Sequence, residues 1–429
     1  MYKLNKLSQV MLAMGTSAIL LVGCNGGSDD ANAQPSANDT TAQTTTDTQA
    51  AANQNDMNNG SDMSQDNAAM NAEQDMNTDS EMPADIDKTL IENGDDISPV
   101  TRGINQQGVS QQLEGNSKTE NELNKLLPSL EYNTDNLSER ATKANESTWT
   151  ESAKIDQNLG TKIQALLNWN HHGVGAVDGR WGKNTIKAMK AFQEANNLPV
   201  TDSMNTETWK ALTQDSALID QPVLVNYQLT DNDVNIKTTK IPSGAEEKAK
   251  LEGMYYESVL EALGEKFHMD TDYLKALNPD SNFAAGETII VYNPGNPDTT
   301  PVSRVVADKA AQTLYAYDAN DNMVASYPTT VGSTATPSPT GTHKVKVKIH
   351  KPNYTYTSDA GKKSILSPGP NNPVGIVWIG LTKPSYGIHG SPDPERISRQ
   401  ASAGCVRLTN WDALALLGTI EDGATVEFK

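Results

Sequence analysis

Tyr386-Gly387-Ile388-His389-Gly390 and, further on, Ser402-Ala403-Gly404-Cys405-Val406-Arg407-Leu408 are the stretches on which the reading of this chain turns. A cysteine nucleophile needs a base to take its proton, a group that orients that base, and donors for a developing oxyanion. His389 lies sixteen residues before Cys405 in a loop that follows a strand pattern, and the nearby glycines Gly387 and Gly390 let the backbone aim the imidazole. Gly390 has no side chain to orient the second ring nitrogen, so a backbone carbonyl has to do it. The Ala403-Gly404 backbone can present N–H groups to a tetrahedral intermediate. The other cysteine, Cys24, lies in the N-terminal segment, so Cys405 has no expected disulfide partner. A structural zinc site competes poorly, since His343 and His350 fall within a strand pattern and no second cysteine is at hand.

Outward from these motifs, Val302 to Asp308, Thr313 to Asp318, Met323 to Val331, Thr342 to His350, Gly375 to Leu381 and Ala424 to Phe428 read as strands between Gly, Pro, Asn and Asp turns. Asn410 reads as the cap of a helix from Trp411 to Leu417 that stops at Gly418. The segment 301–429 is therefore expected to be a mainly β, sandwich- or barrel-like domain. Its motifs, together with Thr336-Pro337-Ser338-Pro339-Thr340-Gly341, Asn371-Asn372-Pro373-Val374-Gly375 and Trp378-Ile379-Gly380-Leu381, resemble the L,D-transpeptidase catalytic domain. The resemblance implies Cys405 as acyl-accepting nucleophile, His389 as proton donor and acceptor, the Gly390 carbonyl as its orienter and the Gly404 N–H as an oxyanion donor. It offers Arg407, Tyr386, Trp378 and Ser402 as substrate contacts, and for Arg407 a purely structural role is equally open. It implies no cofactor or metal, acylation by carbapenems, and a role in peptidoglycan biosynthesis, cell wall organisation and cell shape. Many members carry His where this chain has Ala403, so His389 serves alone. Two alternatives stay open: a non-catalytic wall-binding lipoprotein and an L,D-carboxypeptidase-type thiol hydrolase.

Upstream, Ile163, Leu166 and Leu167, then Thr185, Ile186, Met189 and Phe192, recur at helical spacing on either side of the turn Val177-Asp178-Gly179-Arg180-Trp181-Gly182, and Asn205 to Leu212 adds a short helix. This three-helix pattern over 151–214 resembles a peptidoglycan-binding domain. His171 and His172 sit in its first interhelical loop and are expected to be solvated. The segment 221–295 runs strand (Tyr227 to Thr230), helix (Tyr256 to Phe267), helix (Tyr273 to Leu277), strand (Glu287 to Tyr292) and resembles a lysin motif (LysM) module. It departs from that pattern by the stretch Lys237 to Glu252, and a platform role beneath the catalytic domain is an equal expectation. The fold class is thus multidomain α+β.

At the N-terminus, Lys3 and Lys6 precede a short apolar run and Leu21-Val22-Gly23-Cys24. This resembles a bacterial lipoprotein signal, with residues 1–23 cleaved, lipid on Cys24, and Asn25 directing the protein to an outer membrane that faces the periplasm. No aromatic residue lies between Tyr2 and Tyr132, and Asn25 to Thr150 carries roughly 23 acidic against 6 basic side chains. Such a segment cannot bury enough apolar surface to fold, so 24–150 is expected to be a disordered acidic tether with a short helix around Glu120 to Leu130. A net charge of −20 argues against nucleic acid as a partner and leaves peptidoglycan glycan and stem peptides.

Overall fold

The computed structural model describes residues 131–429 except 333, 335, 336, 359, 360, 400, 401 and 403. The signal segment, Cys24, the helix expected around Glu120 to Leu130, and Ala403 lie outside the described residues. The described residues begin inside the range read as tether. Helix α1 (Glu139–Glu146) is polar apart from Ala141 and Ala144, which is why composition hides it, yet both alanines are fully buried. Asn145 Oδ1 accepts the Val223 and Leu224 N–H groups at 2.8 Å, and its Nδ2 donates to the Leu224 carbonyl at 2.9 Å.

Helices α2 (Gln157–Trp169), α3 (Lys183–Ala195) and α4 (Thr206–Leu212) follow, with a turn of helix α5 (Ser216–Ile219). Helix α2 is buried on almost every face, so it cannot be the wall of a free-standing three-helix bundle. It is the centre of a larger core. Strand β1 (Leu224–Gln228), the short helix α6 (Asp231–Val234), helices α8 (Val259–Lys266) and α9 (Thr271–Leu277), and strand β2 (Thr288–Tyr292) pack around it, whereas the short helix α7 (Ala245–Lys248), between α6 and α8, buries none of its residues. Strands β1 and β2 pair antiparallel, Leu224 opposite Tyr292. One cluster joins Ala141, Ile163, Leu166 and Phe192 to Leu224, Phe267, Leu274 and Tyr292. The expectation of two separate accessory modules is therefore corrected: they share one core, sealed by hydrogen bonds such as Thr161 Oγ1 to Tyr273 OH at 2.7 Å and Trp169 Nε1 to the Asn293 carbonyl at 3.0 Å. The first strand also begins earlier than expected, and Thr230 leaves it to form a capping box with Asp233.

The C-terminal domain has its own core. Its elements are β3 (Val302–Asp308), β4 (Thr313–Tyr317), β5 (Met323–Pro328), β6 (Gly341–His350), the hairpin β7 (Tyr354–Thr357) and β8 (Lys363–Leu366), β9 (Val377–Leu381), β10 (Gly387–His389), β11 (Val406–Arg407), α10 (Asn410–Thr419) and β12 (Ile420–Phe428). Among the described residues the main sheet has eight strands in the order β11-β10-β9-β6-β12-β3-β4-β5. Asn410 is not the cap of α10, as expected, but its first residue. Thr409 caps it by accepting the Asp412 N–H at 3.1 Å, and the Asn410 side chain turns elsewhere.

The accessory unit is docked on this domain through several contacts, two of them made by backbone. His171 and Gly173 bracket Ser326 on edge strand β5, with Gly173 N donating to the Ser326 carbonyl at 2.7 Å and Ser326 N to the His171 carbonyl at 3.1 Å. His172 is accordingly buried rather than solvated, its Nδ1 2.9 Å from Ser326 Oγ. The second contact uses the stretch Lys237 to Glu252 and its continuation. Lys362 pairs with Glu246 at 2.7 Å, Ser367 Oγ donates to the Leu251 carbonyl at 3.0 Å, and Met254 exchanges backbone bonds with Pro368 and Asn371.

Candidate active site

Strand β10 is the spine of the site. It runs antiparallel to β9, with His389 opposite Trp378, and parallel to β11, with Ile388 opposite Val406 and His389 opposite Arg407. The residue before β11 is Cys405, whose sulfur lies 3.8 Å from the Ser385 carbonyl and receives the backbone N–H of Gly387. Two strands too short to be read from alternation thus bring the motifs together.

His389 is 4% exposed, and its Nδ1 lies 2.7 Å from the Gly390 carbonyl. A carbonyl can only accept, so Nδ1 carries the proton and Nε2 keeps its lone pair. Burial, with the nearby Arg407 charge, pushes the imidazole down to about 3 against the opposing pull of the Gly390 bond. Burial also pushes the Cys405 thiol up, and the Gly387 N–H and Arg407 offset this in part. The resting pair is therefore thiol and neutral imidazole, and a base has to take the thiol proton as the sulfur attacks.

The neighbouring residues hold this arrangement. Trp378 stacks on the His389 ring, centroids 5.7 Å apart at 25°; it braces the base as well as bordering the site. A Cβ on Gly387 would lie 2.8 Å from the Trp378 ring, so only glycine lets the indole sit there. Tyr386 packs on Gly404, whose φ of 111° and proximity (2.9 Å from a Cβ placed there to Tyr386 Cε1) demand glycine. Ser402 and Gly404 need a correction. The Gly404 N–H donates to Ser402 Oγ at 3.2 Å and Ser402 Oγ to the Cys405 carbonyl at 2.6 Å, so both groups close the turn before the nucleophile. The Arg407 backbone is tied to Thr330 in both directions, at 2.8 and 3.0 Å, and Thr329 Oγ1 donates to its carbonyl at 2.7 Å. Its guanidinium lies near enough to bias His389, Cys405 and Tyr354. Tyr354, on β7, was not legible as a site residue. Burial, and then the proximity of Cys405, pushes its phenol up to about 12, so the hydroxyl is neutral. Away from Cys405, a cavity of about 150 Å³ lies between the α3 N-terminus and residues 394–399, lined among others by Asp178, Arg180, Lys183, Asp270, Glu395 and Arg399.

Residues 303–428 match the YkuD L,D-transpeptidase catalytic domain and residues 160–212 a peptidoglycan-binding domain. YkuD of Bacillus licheniformis, itself an L,D-transpeptidase by name, is 31% identical over 170 residues, covering 39% of this chain and 91% of that protein. The chain belongs to the L,D-transpeptidase family. Escherichia coli YbiS, another L,D-transpeptidase by name, is 32% identical over 144 residues, 31% of this chain and 46% of that protein. Among solved L,D-transpeptidase structures, the catalytic domain from Enterococcus faecium aligns with a TM-score of 0.24 and 22% identity over 30% of this chain and 96% of that one. L,D-transpeptidase 3 from Mycobacterium tuberculosis aligns with 0.25 and 16% over 34% and 65%. An L,D-transpeptidase catalytic domain joined to a peptidoglycan-binding domain makes peptidoglycan the substrate or partner.

Proposed function

We propose that this protein is a cysteine acyltransferase of peptidoglycan, with Cys405 carrying the acyl group. The observation that carries the reading is the bond between His389 Nδ1 and the Gly390 carbonyl, which leaves Nε2 a lone pair on a neutral ring in the strand beside Cys405. His389 Nε2 takes the thiol proton as Cys405 Sγ attacks the L-centre carbonyl of a tetrapeptide stem. The tetrahedral intermediate collapses with cleavage of the bond to D-alanine, and the imidazolium returns its proton to the leaving amine. An acceptor amine then attacks the thioester and gives its proton to His389, the C–S bond breaks as the new amide forms, and the imidazolium returns that proton to Cys405 Sγ. A neighbouring stem gives a 3→3 cross-link, a free D-amino acid gives exchange, a protein lysine gives attachment, and water gives hydrolysis. In this reading Arg407 attracts a stem carboxylate, and the Tyr354 hydroxyl, rather than the occupied Gly404 N–H, donates to the developing oxyanion.

The same proposal has Cys24 carrying lipid and anchoring the protein to the outer membrane, with 160–212 and the LysM-like 221–295 segment holding the wall. The charged cavity beside the α3 N-terminus suits a peptide end bearing both amine and carboxylate. The test is a muropeptide comparison of cells carrying the native protein and Cys405→Ala. Loss of 3→3 dimers supports transfer, loss of tetrapeptide trimming alone points to hydrolysis, and no change sinks the enzymatic reading.

A further inference from the structure

Asn410 belongs to the helix that follows the cysteine motif, yet its side chain packs against the backbone that orients His389. A Cβ on Gly390 would lie 2.3 Å from Asn410 Oδ1, and one on Gly375, at φ 60°, only 2.0 Å. The amide is thus wedged between the residue whose carbonyl holds Nδ1 and the turn that opens β9. Every polar group on it is used. Oδ1 accepts the Ile376 N–H at 3.2 Å, and Nδ2 donates to the Pro370 carbonyl at 3.3 Å and to Glu265 Oε1 at 2.7 Å. Since Ile376 N can only donate and Pro370 O only accept, the amide cannot turn over without losing both bonds.

Glu265 lies on α8, in the accessory unit. Its second oxygen accepts from Tyr256 OH at 3.2 Å. Burial, opposed by the Asn410 and Tyr256 bonds and reinforced by the Glu261 and Glu395 charges, pushes its carboxyl up to about 8. A carboxyl group neutral at pH 7 serves here as an acceptor of shape, for which glutamine is an isostere. The next turn of α8 secures the same loop, as Glu261 Oε1 accepts Asn371 Nδ2 at 2.7 Å.

We propose that Glu265 is a positioning residue for the reaction at Cys405, fixing His389 through Asn410 and the Gly390 carbonyl, so that the accessory unit completes the active site. This rests on the acyltransferase reading above. Glu265 touches no reacting atom. Its effect falls on the orientation of the base, and a misdirected base slows the chemical step while leaving binding nearly as it was.

The test uses the full chain and its acylation by a carbapenem, followed on Cys405 by mass spectrometry as a maximal rate and a half-saturating concentration. Glu265→Met keeps the buried volume and removes the acceptor. It is expected to lower the maximal rate about tenfold or more with half-saturation within about twofold, and to shift or broaden the His389 Nδ1 proton resonance. Glu265→Gln is expected to recover the rate to within about twofold and restore the resonance. The double variant Lys362→Ala with Ser367→Ala, which loosens the same docking elsewhere, is expected to lower the melting temperature without slowing acylation. The inference is overturned by a Glu265→Met protein with native rate and resonance, by one altered only in half-saturation, or by an equal slowing in the double variant. A native protein that is never acylated on Cys405 counts against the acyltransferase reading instead, and the resonance of His389 still decides the role of Glu265.

Discussion

At the residue scale, the site depends on what a side chain would displace as much as on what side chains do. Gly390 is the clearest position, because its carbonyl holds the base and its missing Cβ leaves room for Asn410. Gly390→Ala would put a methyl group 2.3 Å from Asn410 Oδ1 and push the carbonyl off Nδ1. We expect acylation of Cys405 to fall at least about a hundredfold, with a cost in stability of roughly 1–3 kcal/mol, read by adduct mass and by thermal melting. The thiol itself makes a separate prediction. With its titration raised by burial and lowered by Arg407, Cys405 is expected to react with iodoacetamide at a rate still climbing above pH 9, where an ordinary thiol near 8.5 is levelling off. Arg407→Ala should move that climb to still higher pH. A rate already at plateau by pH 7 would mean a preformed thiolate and overturn the neutral resting pair.

At the element scale, what could be read from the sequence was what neighbouring residues decide together. Strands β3, β4, β6 and β12 follow from alternation, and the Cys and His motifs follow from short contiguous runs. Hidden from such a reading was whatever depends on distant partners. Strands β10 and β11 span only three and two residues, and only the ladder between them shows how the His389 and Cys405 motifs come to lie side by side. The Asn410 side chain obeys Glu265, 145 positions away, and leaves the capping to Thr409. Helix α1 has the residues of a polar linker, yet Asn145 makes two hydrogen bonds with Leu224 of β1 and one with Val223 just before it. That difference can be measured. Deleting residues up to 130 should leave the melting of the accessory core unchanged, whereas deleting up to 150 strips Ala141, Ala144 and Asn145 from it. The second deletion is expected to cost on the order of 3 kcal/mol, and equal melting of the two truncations would return α1 to the tether.

At the scale of the whole molecule, the two cores are joined by an interface that buries carboxyl groups. Glu265 is raised to about 8, chiefly by burial and despite its bonds to Asn410 and Tyr256, with Glu261 and Glu395 as the charged groups facing it. Asp412, pressed toward Gly173, is raised to about 7, again by burial and against the pull of Thr409. One of its oxygens, Oδ2, is buried without a hydrogen-bond partner among the described residues. Both groups hold their proton more tightly folded than unfolded. Their contribution is therefore complete below the unfolded values near pH 4, and it is withdrawn as pH rises through about 7 and 8. For Glu265 alone the difference is on the order of 4 kcal/mol. Docking of the accessory unit on the catalytic domain should accordingly weaken from pH 5.5 to 8.5, seen as a melting temperature that falls by at least about 4 °C over that range. Glu265→Gln stays neutral throughout and keeps the bond to Asn410, so its melting temperature should fall less, and above pH 8 it should exceed that of the native protein. A native protein whose melting is flat from pH 5.5 to 8.5, or a Glu265→Gln variant that follows it degree for degree, would mean that the interface does not hold these protons.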